Sequence, residues 1–443
     1  MSDPLVDQLV DTIGDQPVGR RLPRALAPFR TPAYRRLAVA LIFSSFAHGA
    51  WTVGLVWEVF GLGGGAQQLS LVSAASAIGV IVPALIAGVV ADRVPQRRIL
   101  LTVAAVEVVS MGTATLLSAT GVGTVASLAG LAFLSGCAMA FYYPAYSAML
   151  PSIVPESELM AVNGLEGMVR PAIGQVLGPA IGGIVVGLLA PWAAFGSAAA
   201  AMGLSLVALL AVPAVALRRT LDPEHVAHPV RSALADMGEG WRYMVRTPWL
   251  LSTLLFACLM ILAMMGPMEV LIPVLIKSDL GGNAGDHALV LAGFGIGGAL
   301  GSFAMASVRM PRRYLTIMLL GWGASGLPFL VVHTDPGVWT IAAVAVVMGA
   351  LFSAPQVIWG TLLQRRVPPA LLGRVSSLDF FVSVALMPVS MAMAGPVAEW
   401  IGLTATFTLA AVVPAVLAVV ALLAARLPAD EIAHPLDREP DGA

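Results

Sequence analysis

Ionisable side chains interrupt several long apolar stretches of this 443-residue chain. Carboxyl and imidazole groups can take up and release protons, and a guanidinium group can pair with an anion. A charged group inside a membrane-spanning helix costs about 2.5–3.5 kcal/mol on insertion scales, so it serves a function or is paired within the protein. The candidates for proton exchange or substrate binding are Glu269, His48, Glu107, Glu58, Arg170, Glu166 and Asp379.

Structural roles are the alternative for several of these residues. His48 could be a neutral, hydrogen-bonded core histidine, and Glu58 could sit in water at the membrane interface. Glu166 and Arg170, four residues apart, could form an ion pair on one helix face. Asp379 could be a charge at a helix N-terminus. The sequence leaves both kinds of role open.

The composition is that of an integral membrane protein. Hydrophobic residues make up 58% of the chain and charged residues 11%, whereas soluble domains carry about 25% charged residues. No soluble core could bury this much apolar surface, so the bilayer must be the solvent. The net charge of -1 gives no reason to expect a nucleic-acid partner.

Metal and cofactor sites are not expected. Cys137 and Cys258 both lie in apolar runs, where cysteine behaves as a small hydrophobic residue. The chain has no zinc-ligand spacing, nucleophile elbow or phosphate-binding loop, so the sequence predicts no cofactor and no ATP-driven step.

The apolar stretches predict an all-α membrane protein with twelve transmembrane helices. A helix needs about 20 apolar residues to cross a bilayer. The predicted spans are residues 37–59, 68–91, 99–119, 122–148, 163–190, 192–217, 249–276, 287–308, 314–333, 338–361, 375–399 and 403–426.

Basic residues predict the orientation. With the N-terminus inside, all of the 24 lysines and arginines except Lys277 and Arg170 fall on the cytoplasmic side. Such a bias is typical of cytoplasmic loops. The chain is therefore predicted to be a multi-pass protein of the inner (plasma) membrane with both termini in the cytoplasm.

The two halves of the chain repeat each other. Arg30-Thr31-Pro32 before the first span recurs as Arg246-Thr247-Pro248 before the seventh, and Gly178-Pro179 recurs as Gly395-Pro396. Five such pairs in order predict two pseudo-symmetric six-helix bundles, with a substrate site between them near the midplane. The predicted segments are a cytoplasmic tail (1–36), the first bundle (37–217), a linker with a surface helix (218–248), the second bundle (249–427) and a second tail (428–443).

The loop after the second span reads Gly88-Val89-Val90-Ala91-Asp92-Arg93-Val94-Pro95-Gln96-Arg97-Arg98. It resembles the signature loop of the major facilitator superfamily. It has the glycine, the Asp-Arg pair and the basic pair of that signature, but it departs from the signature at Pro95 and Gln96. The resemblance implies a latch that holds the cytoplasmic side shut, whereas a basic loop that only sets topology is the alternative. The implied gate residues are Gly88, Asp92, Arg93, Arg97, Arg98 and Arg374.

The fifth span resembles a motif of the superfamily's exporters. Small residues four positions apart allow helices to approach closely, and a proline can kink the helix. Generic glycine packing is the alternative. The residues of the motif are Gly174, Gly178, Pro179, Gly182 and Gly183.

Two further segments resemble the drug and siderophore exporter branch, which includes macrolide, tetracycline and enterobactin exporters. They begin at Phe141-Tyr142-Tyr143-Pro144 and at Gln364-Arg365-Arg366. Gly266-Pro267-Met268-Glu269 is most similar to the actinobacterial multidrug-efflux members. One departure concerns the fourth span, where many drug–proton antiporters carry an arginine and residues 122–150 contain none.

The resemblance implies a transporter and not an enzyme: a proton-coupled exporter of small amphiphilic compounds, acting as a monomer among membrane lipids. It makes Glu269 the first candidate for the proton carrier, because the seventh helix lines the cavity in this fold, and Glu107 the second. A lysophospholipid or siderophore transporter and a non-transporting sensor are the alternatives. Ordinary helix packing is the alternative for each residue of the expected cavity wall, which is Trp51, Trp57, Tyr142, Tyr143, Met264, Met268, Gln356 and Trp359.

Overall fold

A computed structural model gives the fold over most of the chain. It describes residues 28–155, 158, 162, 165–167, 169–213, 229–308, 310–368, 371, 375, 378, 379, 381, 382 and 385–436, without the side chains of 85, 86, 88, 89, 91–93 and 229–237.

The described chain is built from long helices joined by short turns. The helices of the first half are α1 (Pro32–Gly61), α2 (Ala66–Arg93), α3 (Gln96–Thr120), α4 (Val125–Ile153), α5 (Gly178–Leu188, preceded by a π-helical stretch at Arg170–Leu177) and α6 (Pro191–Leu210). The linker helix is α7 (Pro229–Arg246). The helices of the second half are α8 (Pro248–Asp279), α9 (Ala284–Ala306), α10 (Tyr314–Ala324, followed by a 3₁₀ stretch at Leu327–Thr334), α11 (Val338–Arg366), α12 (Met387–Ile401), α13 (Leu403–Ala424) and the short α14 (Leu427–Ala433).

The protein is an all-α membrane protein with twelve transmembrane helices. Eleven helices in the described ranges are long and apolar enough to cross a bilayer. The remaining predicted span, 375–399, is described as a continuous helix only over Met387–Ile401, the 15 residues of α12. Proline at the first position of α1, α6 and α8 favours a helix start there, because its missing N–H would be unpaired in any case.

The helix contacts confirm the pseudo-symmetry of the two bundles. The pair α2 and α4 packs extensively in the first bundle, as does the equivalent pair α9 and α11 in the second. The contacts of α1 with α6 and of α3 with α6 recur as contacts of α8 with α13 and of α10 with α13. Between the bundles, α5 packs on α9 and α12 packs on α2, which are again equivalent pairs.

Exposed tryptophans mark one membrane interface. Trp192, Trp339 and Trp400, at helix ends on one side of the protein, have 40%, 77% and 86% of their surface exposed. Tryptophan is enriched at the level of lipid headgroups, where its ring is apolar and its N–H is polar. We call this side the far side, and the opposite side, where α1 begins and α14 lies, the terminal side.

On the terminal side, the short helix α14 packs against α10 and caps its N-terminus. The residue before α10, Arg313, cannot cap the helix, because capping needs a side-chain acceptor. Instead the buried carboxylate of Glu431 accepts hydrogen bonds from the backbone N–H groups of Leu315 (2.9 Å) and Thr316 (3.1 Å), and from the Thr316 hydroxyl (2.7 Å). A segment predicted only as a tail therefore supplies an N-cap to a transmembrane helix.

Glu431→Ala is expected to destabilise the protein by about 1.5–3 kcal/mol, the contribution of hydrogen bonds to a charged group. The substitution leaves two backbone N–H groups without their acceptor. The measurement is the midpoint of unfolding in a denaturant titration of the detergent-solubilised protein. Asp279→Asn, which changes an exposed acid at the end of α8, serves as the control, and equal midpoints for the two variants would contradict the capping role.

Candidate functional site

A buried acid and a histidine meet in the first bundle. Nε2 of His48, on α1, lies 3.4 Å from Oε1 of Glu107, on α3. Glu107 is fully buried, whereas the His48 side chain is 27% exposed. The hydroxyl of Ser135, on α4, lies 2.9 Å from both carboxyl oxygens of Glu107. Three helices therefore hold the acid in place, and the histidine gives the pair an exposed edge.

The hydrogen bonds of His48 determine how many protons the pair holds. Nδ1 lies 2.7 Å from the backbone carbonyl oxygen of Ser44, which can only accept, so Nδ1 carries a proton. If Nε2 and the Glu107 carboxyl both lacked a proton, two acceptors would face each other. A hydrogen bond between Nε2 and the carboxyl therefore needs one more proton, carried by either group, and we call it the shared proton.

Arg170 lies against three tyrosine rings of α4. Its guanidinium carbon is 5.7, 5.9 and 5.0 Å from the ring centroids of Tyr142, Tyr143 and Tyr146, within the range of cation–π interaction. Glu166 completes the group, because one of its oxygens lies 3.5 Å from Arg170 Nη2 and the other accepts a hydrogen bond of 2.6 Å from the Tyr146 hydroxyl. We call Tyr142, Tyr143 and Tyr146 the tyrosine cluster.

A polar path joins these two sites. The Ser44 hydroxyl lies 3.5 Å from the Tyr142 hydroxyl, and the Ser44 carbonyl oxygen is the partner of His48. The rings of Tyr142 and Tyr146 are stacked with their centroids 5.6 Å apart. The buried acid, the histidine, the tyrosines and Arg170 are thus parts of one network within the first bundle.

Glu269 lies in an irregular part of α8, the π-helical turn Pro267–Leu271. Its half-buried carboxyl makes no hydrogen bond or ion pair with any other described residue. Just before it, the hydroxyl of Ser390 on α12 donates to the Leu262 carbonyl oxygen (2.7 Å) and accepts from the Gly266 N–H (2.8 Å). A side chain inserted between these backbone groups is one cause of helix bending.

Two other predicted acids bind neighbouring helices. Glu58 is buried near the far-side end of α1 and accepts a hydrogen bond of 2.6 Å from the hydroxyl of Ser118, near the end of α3. Asp379 accepts a hydrogen bond of 3.0 Å from the indole N–H of Trp359, on α11. Each contact links two helices of the same bundle.

The predicted cavity-wall residues differ in exposure. Trp51 is buried against Phe195 of α6, with ring centroids 5.1 Å apart. Trp359, also buried, stacks edge-on against Trp249 and Trp322. Of the others, Met264, Trp57 and Tyr142 are buried and Met268 is half-buried. Tyr143 and Gln356 are exposed.

Part of the predicted gate lies outside the described residues. This applies to Arg374 and to the side chains of Asp92 and Arg93, whereas α2 includes the backbone of Gly88, Asp92 and Arg93. Arg97 donates to the carbonyl oxygen of Leu210 at the end of α6 (2.8 Å), where a cation favours the free carbonyl groups. The side chain of Arg98 is exposed.

The glycines of the predicted exporter motif face two helices. A Cβ atom on Gly178 would lie 2.8 Å from the carbonyl oxygen of Phe46 on α1, and Gly174 and Gly182 face the same helix. A Cβ atom on Gly183 would lie 2.7 Å from the carbonyl oxygen of Ala284 on α9. The motif, which includes Pro179, thus allows α5 to pack closely between α1 of its own bundle and α9 of the other.

The far side carries further contacts between the bundles. The Ser70 hydroxyl accepts a hydrogen bond of 2.8 Å from the backbone N–H of Gly395 on α12. The Gln67 amide donates to Glu399, and Lys277 Nζ lies 5.4 Å from the ring centroid of Trp57. Together with Gly183 against Ala284, these contacts form what we call the far-side closure.

A family of proteins described as transmembrane secretion effectors matches residues 24–440. The chain belongs to this family, within the major facilitator superfamily. It is therefore a multi-pass membrane transporter of the exporter branch and not an enzyme, as the sequence motifs predicted.

Curated relatives and solved structures agree with this membership. The transporter is 30% identical to the multidrug efflux pump Tap of Mycobacterium tuberculosis over 412 residues, 90% of this chain and 94% of that protein. It is 25% identical to the enterobactin exporter EntS of Shigella boydii over 356 residues, 77% and 76% of the two chains. The fold is similar to that of the nucleoside transporter NupG, with a TM-score of 0.66 at 12% identity, covering 89% of this chain and 99% of that one.

The transporter's network includes residues that the sequence did not single out. Ser44 precedes His48 by four positions, and Ser135 and Tyr146 lie seven positions before and four positions after Tyr142. Such spacings place side chains on one helix face. A search for polar residues at helical spacing from each candidate would have found all three.

Proposed function

We propose that this transporter is a proton-coupled antiporter that exports small amphiphilic compounds, such as drugs. The observation that carries the proposal is the His48–Glu107 pair, in which a buried acid and a half-buried histidine lie within hydrogen-bond distance and can share a proton. Buried acids and histidines in membrane transporters are typical of proton relays. The names of the relatives, a multidrug efflux pump and an enterobactin exporter, support export of small molecules as the direction and the class of cargo.

The proposed orientation follows from the basic residues. Cytoplasmic loops carry the excess of arginine, so the terminal side faces the cytoplasm and the far side faces outward. The far-side closure then separates the network from the outside, and opening it would expose His48 to external protons. Alternation between a state open to the cytoplasm and a state open to the outside would exchange the shared proton for a substrate.

The shared proton gives this exchange a physical basis. Without it, the Nε2 lone pair and the Glu107 carboxylate repel each other, so loss of the proton favours a rearrangement of α1 against α3. A ligand shifts a conformational equilibrium only through its different affinity for the two states. The proton meets this condition because it stabilises the arrangement in which His48 and Glu107 are in contact.

The proposal is tested by proton flux in proteoliposomes that contain a pH-sensitive dye and receive ethidium as an amphiphilic probe. We expect ethidium to move protons in the opposite direction, and a protonophore to stop its uphill accumulation. Uphill accumulation that survives collapse of the pH gradient would contradict proton coupling. Transport of a lysophospholipid with no transport of ethidium would contradict the proposed class of cargo.

A further inference from the structure

We propose that the tyrosine cluster and Glu166 form a binding site for the cationic group of a substrate, and that Arg170 occupies this site until a substrate displaces it. The inference rests on the proposed function and names the charge of its cargo. It starts from the composition of the site, which consists of three aromatic rings and one carboxylate around a single positive group.

The site is suited to cations in general. The face of an aromatic ring attracts a cation within about 6 Å of its centroid, and organic cations are commonly bound by several such rings. All three rings lie within 6 Å of the guanidinium carbon, the nearest at 5.0 Å. None of these contacts depends on the shape of a guanidinium, so another cation of similar size would be bound by the same groups.

The site does not depend on Arg170 for its shape. Glu166 is held by the Tyr146 hydroxyl at 2.6 Å, and Tyr142 is held by its stacking on Tyr146 and its contact with Ser44. The carboxylate and two of the rings would therefore stay in place if the guanidinium left. A preformed site of this kind binds its ligand without a large ordering cost.

The contact between Arg170 and Glu166 is longer than a charge-assisted hydrogen bond. The ion pair is 3.5 Å long, whereas charge-assisted hydrogen bonds measure about 2.7–2.9 Å. Nη2 is buried and makes no hydrogen bond within the described residues. The Arg170 side chain is 31% exposed and Tyr143 is 64% exposed, so the site has an open side through which a substrate can enter.

An anion site is the alternative arrangement, with Arg170 as the binding group. Glu166 already pairs with the charge of Arg170, and the three rings of the tyrosine cluster lie within 6 Å of its guanidinium carbon. An anion would have to compete with a carboxylate that the Tyr146 hydroxyl fixes in place. The same contacts favour an incoming cation, because it would gain Glu166 and the rings while Arg170 turns away from them.

The position of the site gives it a link to the shared proton. Tyr142 touches Ser44, whose carbonyl oxygen is bonded to His48. A substrate cation at the tyrosine cluster and the proton on the His48–Glu107 pair are both positive and lie in one network. Because the substrate replaces the charge of Arg170, the coupling would act through the contacts of Tyr142 with Ser44 and of Ser44 with His48, so that binding at one end alters binding at the other.

The test is equilibrium binding of two probes of nearly equal size and opposite charge, tetraphenylphosphonium and tetraphenylborate, to the purified protein in nanodiscs. Arg170→Met keeps the length of the side chain and removes its charge, so we expect it to tighten tetraphenylphosphonium binding by about tenfold. Glu166→Gln is expected to weaken it by about tenfold. Tyr143→Leu, at an exposed position, is expected to weaken it severalfold without disturbing the fold.

Three results would overturn the inference. Weaker tetraphenylborate binding in Arg170→Met, with tetraphenylphosphonium binding unchanged, would indicate an anion site. Unchanged binding of both probes in all three variants would indicate a purely structural ion pair. Weaker tetraphenylphosphonium binding in Arg170→Met would show that Arg170 helps to form the site. Binding without a gradient does not depend on proton coupling, so a failure here is distinguishable from a failure of the flux experiment.

Discussion

Glu107→Gln is expected to lower substrate-driven proton flux below about a tenth of the wild-type rate, because the shared proton loses its acidic partner. Glutamine has the same shape and can donate its amide N–H to Nε2 of His48. It can also keep a hydrogen bond with Ser135, so the packing of α1, α3 and α4 is preserved. The variant should therefore still bind ethidium and should lose only the coupling of its transport to protons.

The measurement compares three variants in the same proteoliposome assay. Glu58→Gln removes another buried acid from the same bundle, but Glu58 binds Ser118 at the far-side end of α3 and touches no histidine, so its proton flux should remain near wild type. If Glu269→Gln abolishes the flux and Glu107→Gln does not, then Glu269 is the carrier and the proposed role of the His48–Glu107 pair is wrong. Intact coupling in all three variants would exclude both carriers.

The architecture could be predicted from the sequence because membrane insertion leaves a strong one-dimensional signal. Every span must be about 20 apolar residues long, and a gene duplication leaves offsets such as Arg30 to Arg246. The spans and the two-bundle fold need only these features. The helix Pro229–Arg246 lies within the linker, residues 218–248, where a surface helix was predicted.

The site could be predicted only in part, because it depends on which helix faces meet. His48 and Glu107 were both candidates, but they lie 59 positions apart and nothing in their spacing shows that they touch. The resemblance placed the third helix away from the cavity, and this ranked Glu107 below Glu269. Ser135 carries no charge, so its position within an apolar span gives no sign that it binds the Glu107 carboxyl.

The sequence patterns also could not predict contacts that short segments make with distant parts of the chain. The capping of α10 by Glu431 links residues more than 110 positions apart. It depends on a seven-residue helix, α14, that has no span-length signal. The approach of an arginine to the fourth span is a second contact of this kind. Arg170, at the start of the π-helical stretch before α5, brings a guanidinium to the tyrosine cluster of α4, and only the packed helices bring the two together.

Gly183→Leu is expected to reduce transport by about tenfold or more while the protein still folds, because it blocks the far-side closure. Even a Cβ atom at this position would lie 2.7 Å from both the Ala284 carbonyl oxygen and the Ala288 Cβ atom. Overpacking costs about 1–3 kcal/mol, which corresponds to a change of about 5–150-fold in an equilibrium between two states. The strain falls on the contact between the bundles, so the bundles should separate on the far side and the closed state should lose population.

Gly187→Leu is the matched control, since Gly187 lies one turn further along α5, is exposed and has nothing within 4 Å of a Cβ position. The closure is measured by disulfide formation between cysteines placed at Gln67 and Glu399, in a background where Cys137 and Cys258 are replaced by serine. We expect Gly183→Leu to lower the yield of this cross-link together with transport, Gly183→Ala to have a smaller effect, and Gly187→Leu to have none. Equal cross-linking in Gly183→Leu and Gly187→Leu would show that the glycine is not needed for closure. The exporter motif would then serve the packing of α5 on α1 alone.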